Sequence, residues 1–153
     1  MYLSKIKPRW VVVFVLLNLH AVGVWGMYDV TYREQFEAIS WLNLLVSFFA
    51  VAAFHTPRNL HAVYYLAASF AVGMLAEIAG VATGYLFGSY YYTNKLGAMA
   101  GAVPLVIGTN WALLGYCSGM LVAGIQSVWQ RMLAAASVMV GIDVLLEPFA
   151  IEH

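Results

Sequence analysis

The sequence predicts an all-α fold, an integral membrane bundle of about five transmembrane helices forming one polytopic domain over residues 1–153. Two observations carry that class. The chain is 63% hydrophobic and only 9% charged, where soluble domains carry about 25% charged residues. Its apolar residues also gather in five stretches, each near the ~20 residues a helix needs to cross a bilayer. A third observation points to function. Of seven acidic residues, Glu77, Asp143 and Glu147 fall inside those apolar stretches. An acid at the centre of a membrane helix costs about 2.5–3.5 kcal/mol on insertion scales, so such groups normally line an internal site.

The first span, near 10–27, follows a basic start of Lys5, Lys7 and Arg9. It is longer than a signal-peptide core and no small-x-small cleavage site follows it, so a retained helix is expected. His20, mid-span with Asn18 nearby, reads as a hydrogen-bonded core histidine. The second span, near 39–54, is short and interrupted by Ser40, Asn43 and Ser47. His55 and His61 flank the next loop and read as interfacial. The third and fourth spans, near 62–86 and 99–125, exceed the minimum and are expected to tilt or project. Pro104 either kinks the fourth helix or marks its start. The fifth span lies near 132–151, and Pro148 places Glu147 near a helix end.

Ala76, Gly80, Gly84 and Gly88 recur every four residues, a small-residue stripe that lets another backbone approach. Glu77 borders that stripe, so packing aims it inward. With the N-terminus inside, the inner side holds Lys5, Lys7, Arg9, Arg58 and Arg131, and the outer side holds Arg33 and Lys95. The positive-inside rule favours that orientation, with His153 outside.

Depth counting brings the polar groups together. At 1.5 Å per residue, Glu77 lies about 22 Å up its helix from Ala62, Asp143 about 18 Å and Glu147 about 24 Å from Arg131, and Asn110 about 22 Å when counted back from Ile125. Four polar groups from three helices share one level. Asp143 and Glu147, four apart, share a helix face, and two neighbouring carboxylates in low dielectric do not both ionise easily. A neutral acid beside an ionised one can serve as acid and base in one reaction. The segment after the third span is dense in aromatics, among them Tyr85, Phe87 and Tyr91, followed by Thr93. Each tyrosine alone reads as interfacial anchoring; as a group beside buried acids they wall an apolar pocket. Trp111 can offer a ring face to a developing cation.

Other chemistry lacks support. A formal net charge of zero gives no basic face for nucleic acid, and the single Cys117 permits no intrachain disulfide. No HExxH, paired CxxC, Walker loop or GxGxxG in a strand context occurs, so no metal, phosphate or dinucleotide cofactor is expected.

Glu77-Ile-Ala-Gly-Val-Ala-Thr-Gly-Tyr-Leu-Phe-Gly-Ser-Tyr-Tyr-Tyr-Thr93, then Leu96-Gly, Val103-Pro-Leu, Asn110-Trp111 and Asp143-Val-Leu-Leu-Glu-Pro148, resembles the carotenoid biosynthesis membrane proteins of the carotenoid 1,2-hydratase type. The similarity spans helices three to five, about half the chain. It implies addition of water across the terminal C1–C2 double bond of an acyclic carotenoid end, giving a tertiary alcohol without a cofactor. Glu77, Asp143 and Glu147 would then share the acid and base roles, and Asn110 would position water or an acid. The lipid bilayer and an acyclic carotenoid are the expected partners, in a bacterial cytoplasmic membrane with the N-terminus inside.

Members of that family usually continue past the acidic-Pro segment, whereas this sequence stops at His153. The expectation is a truncated or short form, or a site completed by homo-oligomerisation. The competing readings are a carotenoid end-group cyclase, which also begins by protonating an alkene, and a non-catalytic carrier or partner subunit. A carrier should show a polar path reaching both faces, and the inner halves of helices three to five carry almost no ionisable groups.

Overall fold

The computed structural model describes residues 7–56 and 59–151, with side chains described through Leu145. Lys5, Arg58 and His153, used in the orientation argument, lie outside the described residues, as do the side chains of Glu147 and Pro148. Five helices make up nearly all of the structure: α1 (Pro8–Tyr28), α2 (Arg33–Phe54), α3 (Leu60–Thr83), α4 (Leu105–Leu121) and α5 (Val128–Ile151). A 3-10 turn (Asn94–Leu96) and a two-stranded antiparallel hairpin, β1 (Met99–Ala100) with β2 (Val103–Pro104), lie between α3 and α4. Helices α1, α2, α3 and α5 are each long and apolar enough to cross a membrane.

The sequence accounts for each helix boundary. Pro8 opens α1, where its missing N–H would be unpaired in any case. The α1–α2 connection is held by Asp29, whose Oδ1 accepts from the Thr31 backbone N–H at 2.8 Å, and by Arg33, whose Nε donates to the Met27 carbonyl at 3.0 Å. Helix α2 therefore starts at Arg33 rather than near 39, because charged Arg33, Glu34 and Glu37 form its first turns outside the apolar stretch. Asn59 caps α3 by accepting from Ala62 N–H at 3.0 Å. Gly84, at φ 68°, ends α3 in the left-handed conformation that glycine adopts without a Cβ penalty.

The bounds of the last three spans need correction. The third span stops at Thr83, so Gly84 and Gly88 (φ 81°) leave the helix and the small-residue stripe does not continue as one face. The fourth span does not run from 99: the hairpin occupies 99–104, Pro104 is the N-cap, and α4 has 17 residues, about 26 Å. Pro104 marks the start of the helix rather than a kink within it. Helix α5 begins at Val128, four residues before the expected position, and its backbone is helical through Pro148 to Ile151, so Pro148 does not end the helix at Glu147, which lies in about the last turn described.

Helix α4 is the centre of the bundle, packed against α2, α3 and α5, while α1 packs on α2. Close approach depends on glycine at particular points. A Cβ on Gly73 would stand 2.3 Å from the Trp111 ring, and one on Gly108 would stand 2.5 Å from Met74. The buried apolar core is correspondingly small, with Met74, Val103, Val106 and Ala112 within it. Most large apolar side chains face outward, Leu17 at 66% exposure among them. A continuous apolar exterior of this kind is a surface for lipid. His20 belongs to that exterior: it is exposed, its Nδ1 pairing with the Leu16 carbonyl at 2.9 Å, so it is hydrogen-bonded but not a core residue.

Candidate active site at Glu77

Glu77 sits on the α3 face turned toward α4, 8% exposed. Three donors converge on its carboxylate. Tyr90 and Tyr92 hydroxyls both donate to Oε2, at 2.5 and 3.0 Å, and the Trp111 indole Nε1–H donates to Oε1 at 3.0 Å. A buried charge-bearing group is costly unless hydrogen-bonded, and here both oxygens are engaged.

Each donor is placed by a local rule. Trp111 lies on the second turn of α4, its ring packed over Gly73 where no side chain intervenes. The tyrosines come from the 84–104 segment, which folds back over the end of α3. Phe87 fills the space above Gly80, where a Cβ would stand 2.6 Å from the ring, and lies 6.4 Å from Trp111 centroid to centroid. From Tyr90 to Thr93 the chain is extended, so side chains alternate: Tyr90 and Tyr92 turn inward, edge to face at 5.4 Å, and Tyr91 and Thr93 turn out. The Lys95–Glu37 ion pair at 2.8 Å ties the same segment to α2. Burial first, and then the neighbouring Glu77 carboxylate, push the phenols of Tyr90 and Tyr92 well above the ordinary tyrosine value. Both therefore stay protonated and donate.

The expected residues divide accordingly. Glu77, Trp111 and Phe87 share one site. Tyr85 and Tyr91 are 93% and 79% exposed and point away from it, and Thr93 is also exposed. Asn110 is half-buried on α4 and is not among the donors to Glu77. Asp143 lies on an exposed face of α5 and is not among the donors or acceptors at Glu77. Glu147 lies outside the described side chains. Tyr90 and Tyr92 were missed from sequence, although period-two alternation over 90–93 was the available signal. Among the described residues, no group of three or more His, Cys, Asp and Glu side chains is placed to hold a metal ion.

The sequence pattern of carotenoid biosynthesis proteins matches residues 38–153, three quarters of the chain. The chain belongs to the carotenoid biosynthesis protein family. Glu77, both inward tyrosines, Trp111 and Asp143 all fall within the matched region, whereas α1 precedes it. Membership supports a role in carotenoid biosynthesis for this integral membrane protein. Comparisons with curated proteins and with solved structures returned no match.

Proposed function

We propose that this protein hydrates the end of an acyclic carotenoid, adding water across the terminal C1–C2 double bond. The observation that carries the reading is a buried carboxylate in a carotenoid-family bundle, enclosed by aromatic side chains whose polar hydrogens point at it. A carboxylic acid donates a proton to C2, and the π electrons form the new C–H bond, leaving a tertiary cation at C1. The ring faces of Trp111 and Phe87 stabilise that cation. A water oxygen then bonds to C1 while its proton passes to a second carboxylate, and proton exchange from that group back to the donor restores the starting state. Hydrogen and hydroxyl are added, and no electrons change hands between reactants.

Glu77, Asp143 and Glu147 share the acid and base roles. Every bond that Glu77 makes here is one it accepts, which suits the side of the reaction that faces the cation and takes the proton of water. The donor role then falls to α5, which carries Asp143 and Glu147. Asn110 positions water or the acid. Orientation with the N-terminus inside a bacterial cytoplasmic membrane, and association of copies to complete the site, belong to the same reading.

Expression in a lycopene-producing bacterium, followed by mass analysis of the pigments, tests it. The expected result is a gain of one water per reacted end. Unchanged pigment from folded protein, or a cyclised product of unchanged mass, would contradict hydration.

A further inference from the structure

Glu77 is closed in: it is buried, and both of its carboxylate oxygens accept hydrogen bonds. A substrate atom reaches it only where one of the covering groups moves. The covers are built differently. Trp111 stands on α4 and is seated over Gly73, where even a Cβ would meet its ring, and close-packed helix contacts give little. Tyr90 and Tyr92 stand on the chain between α3 and α4, which is held in another way.

From Ser89 to Thr93 no backbone group pairs with another backbone group among the described residues. Gly88 (φ 81°) and Gly97 (φ 87°) bracket the stretch, both in the left-handed region open to glycine. Beyond Gly97 the chain is fixed again, the Ala98 carbonyl accepting from Leu105 N–H at 2.8 Å. Between the two glycines the attachments are side chains: the tyrosine hydroxyls on Glu77, and Lys95 Nζ on Glu37 Oε2 of α2 at 2.8 Å. That ion pair is partly exposed, and pairs of its kind are weak and screened by salt. Leu96 and Gly97 also form one wall of a cleft of about 360 Å³, with Trp41 of α2 and Phe70 of α3 among the others, so the chain has space beside it at Gly97. Segments with unpaired backbone and few buried contacts open at the lowest free energies in a protein.

We infer that residues 89–96 are a lid over Glu77, hinged at Gly88 and Gly97 and latched to α2 by the Lys95–Glu37 pair, and that a substrate end enters when the latch parts. Opening carries both tyrosine hydroxyls away from Oε2 and leaves Trp111 on Oε1. Closing returns them and excludes bulk water from the carboxylate. The inference rests on the hydration reading in taking Glu77 as a reacting group. Its test follows lid position without turnover, so either can fail alone.

Spin labels at Tyr91→Cys, on the outer face of the lid, and at Ile39→Cys, an exposed position of α2, report the lid's distance from α2 in lipid nanodiscs, with Cys117→Ser removing the native thiol. The native latch should give one dominant distance at low salt. Lys95→Met should raise the displaced fraction about two- to five-fold, and Glu37→Gln should do the same. Exchanging the charges, Glu37→Lys with Lys95→Glu, should restore the dominant distance, which a purely packing role for these side chains would not do. Raising the salt concentration should move the native latch toward Lys95→Met and leave Lys95→Met unchanged. Joining Lys95→Cys to Glu37→Cys with a reducible cross-linker should cut hydrated product about tenfold in membranes supplied with lycopene, with recovery on reduction. The inference is overturned if both single variants keep the native distances, if the charge exchange does not restore them, if salt has no effect, or if the cross-linked protein hydrates at the full rate. Latch-dependent motion with no hydrated product from any form would instead overturn the hydration reading alone.

Discussion

Glu77 and Asp143 are both acids within apolar helices, but their surroundings are opposite. Glu77 on α3 is closed in by α4 and the folded-back 84–104 segment, with three donors on its two oxygens. Asp143 on α5 lies on an exposed face, and α5 packs chiefly on α4. The difference teaches that depth in the bilayer does not make a site. A site also needs a neighbouring chain segment that brings donors to the acid, as the α3–α4 side has among the described residues.

Removing the two acids should separate these environments most strongly. Glu77→Ala leaves three partly buried donors without their acceptor, each lost partner costing about 1–3 kcal/mol. Asp143→Ala, on an exposed face, should change stability by less than about 0.5 kcal/mol. Thermal unfolding in one detergent measures both, and equal losses would break the comparison.

The next effect is steric. Gly73→Ala places a methyl 2.3 Å from Trp111, and overpacking of that kind costs about 1–3 kcal/mol. The Trp111 fluorescence should shift as its ring is displaced from Glu77. Gly141→Ala on α5, where a Cβ would meet nothing within 4 Å, should leave stability unchanged or slightly raised, read by the same melting curves.

Tyrosine substitutions sharpen the comparison within a single loop. Tyr92→Phe should lower hydration and stability, by about 1–3 kcal/mol for a hydrogen bond to a charged group. Tyr91→Phe, one residue away and turned outward, should leave product yield at the wild-type level. If the two variants behave alike, the alternation over 90–93 does not govern the site.

The smallest effect is spectroscopic. Raised phenol values mean that protonated Tyr90 and Tyr92 are favoured by folding, a contribution fully present below the unfolded value near pH 10 and lost only as pH rises through the higher folded values. Ultraviolet titration of wild type and of the Tyr90→Phe, Tyr92→Phe double variant should therefore superimpose through the ordinary tyrosine range. A smaller rise for the double variant there would contradict the enclosed geometry.

Composition and apolar run length were enough to read the bundle, because bilayer thickness dictates both. Boundaries were less legible where charge or glycine, rather than hydropathy, ends a helix: Arg33, Glu34 and Glu37 extend α2 beyond its apolar stretch, and Gly84 stops α3 within one. Glu77 was singled out by the cost of burial and by depth counting, and Trp111 by the ring face it offers next to Asn110. Tyr90 and Tyr92 were not separated from Tyr85 and Tyr91, since composition treats an aromatic cluster as one belt. Their facing depends on where the chain becomes extended after Gly88, which the helical reading of the stripe obscured.

The central claim rests on the carboxylate of Glu77, and Glu77→Gln tests it most directly. Glutamine keeps the shape but cannot accept from the tyrosines on one side and from Trp111 on the other with both of its terminal atoms. In lycopene-producing cells with matched levels of folded protein, pigment mass should show water gained with wild type and a loss of about 10²–10⁴-fold in hydrated product with Glu77→Gln. Hydration at the wild-type level by Glu77→Gln would contradict the account.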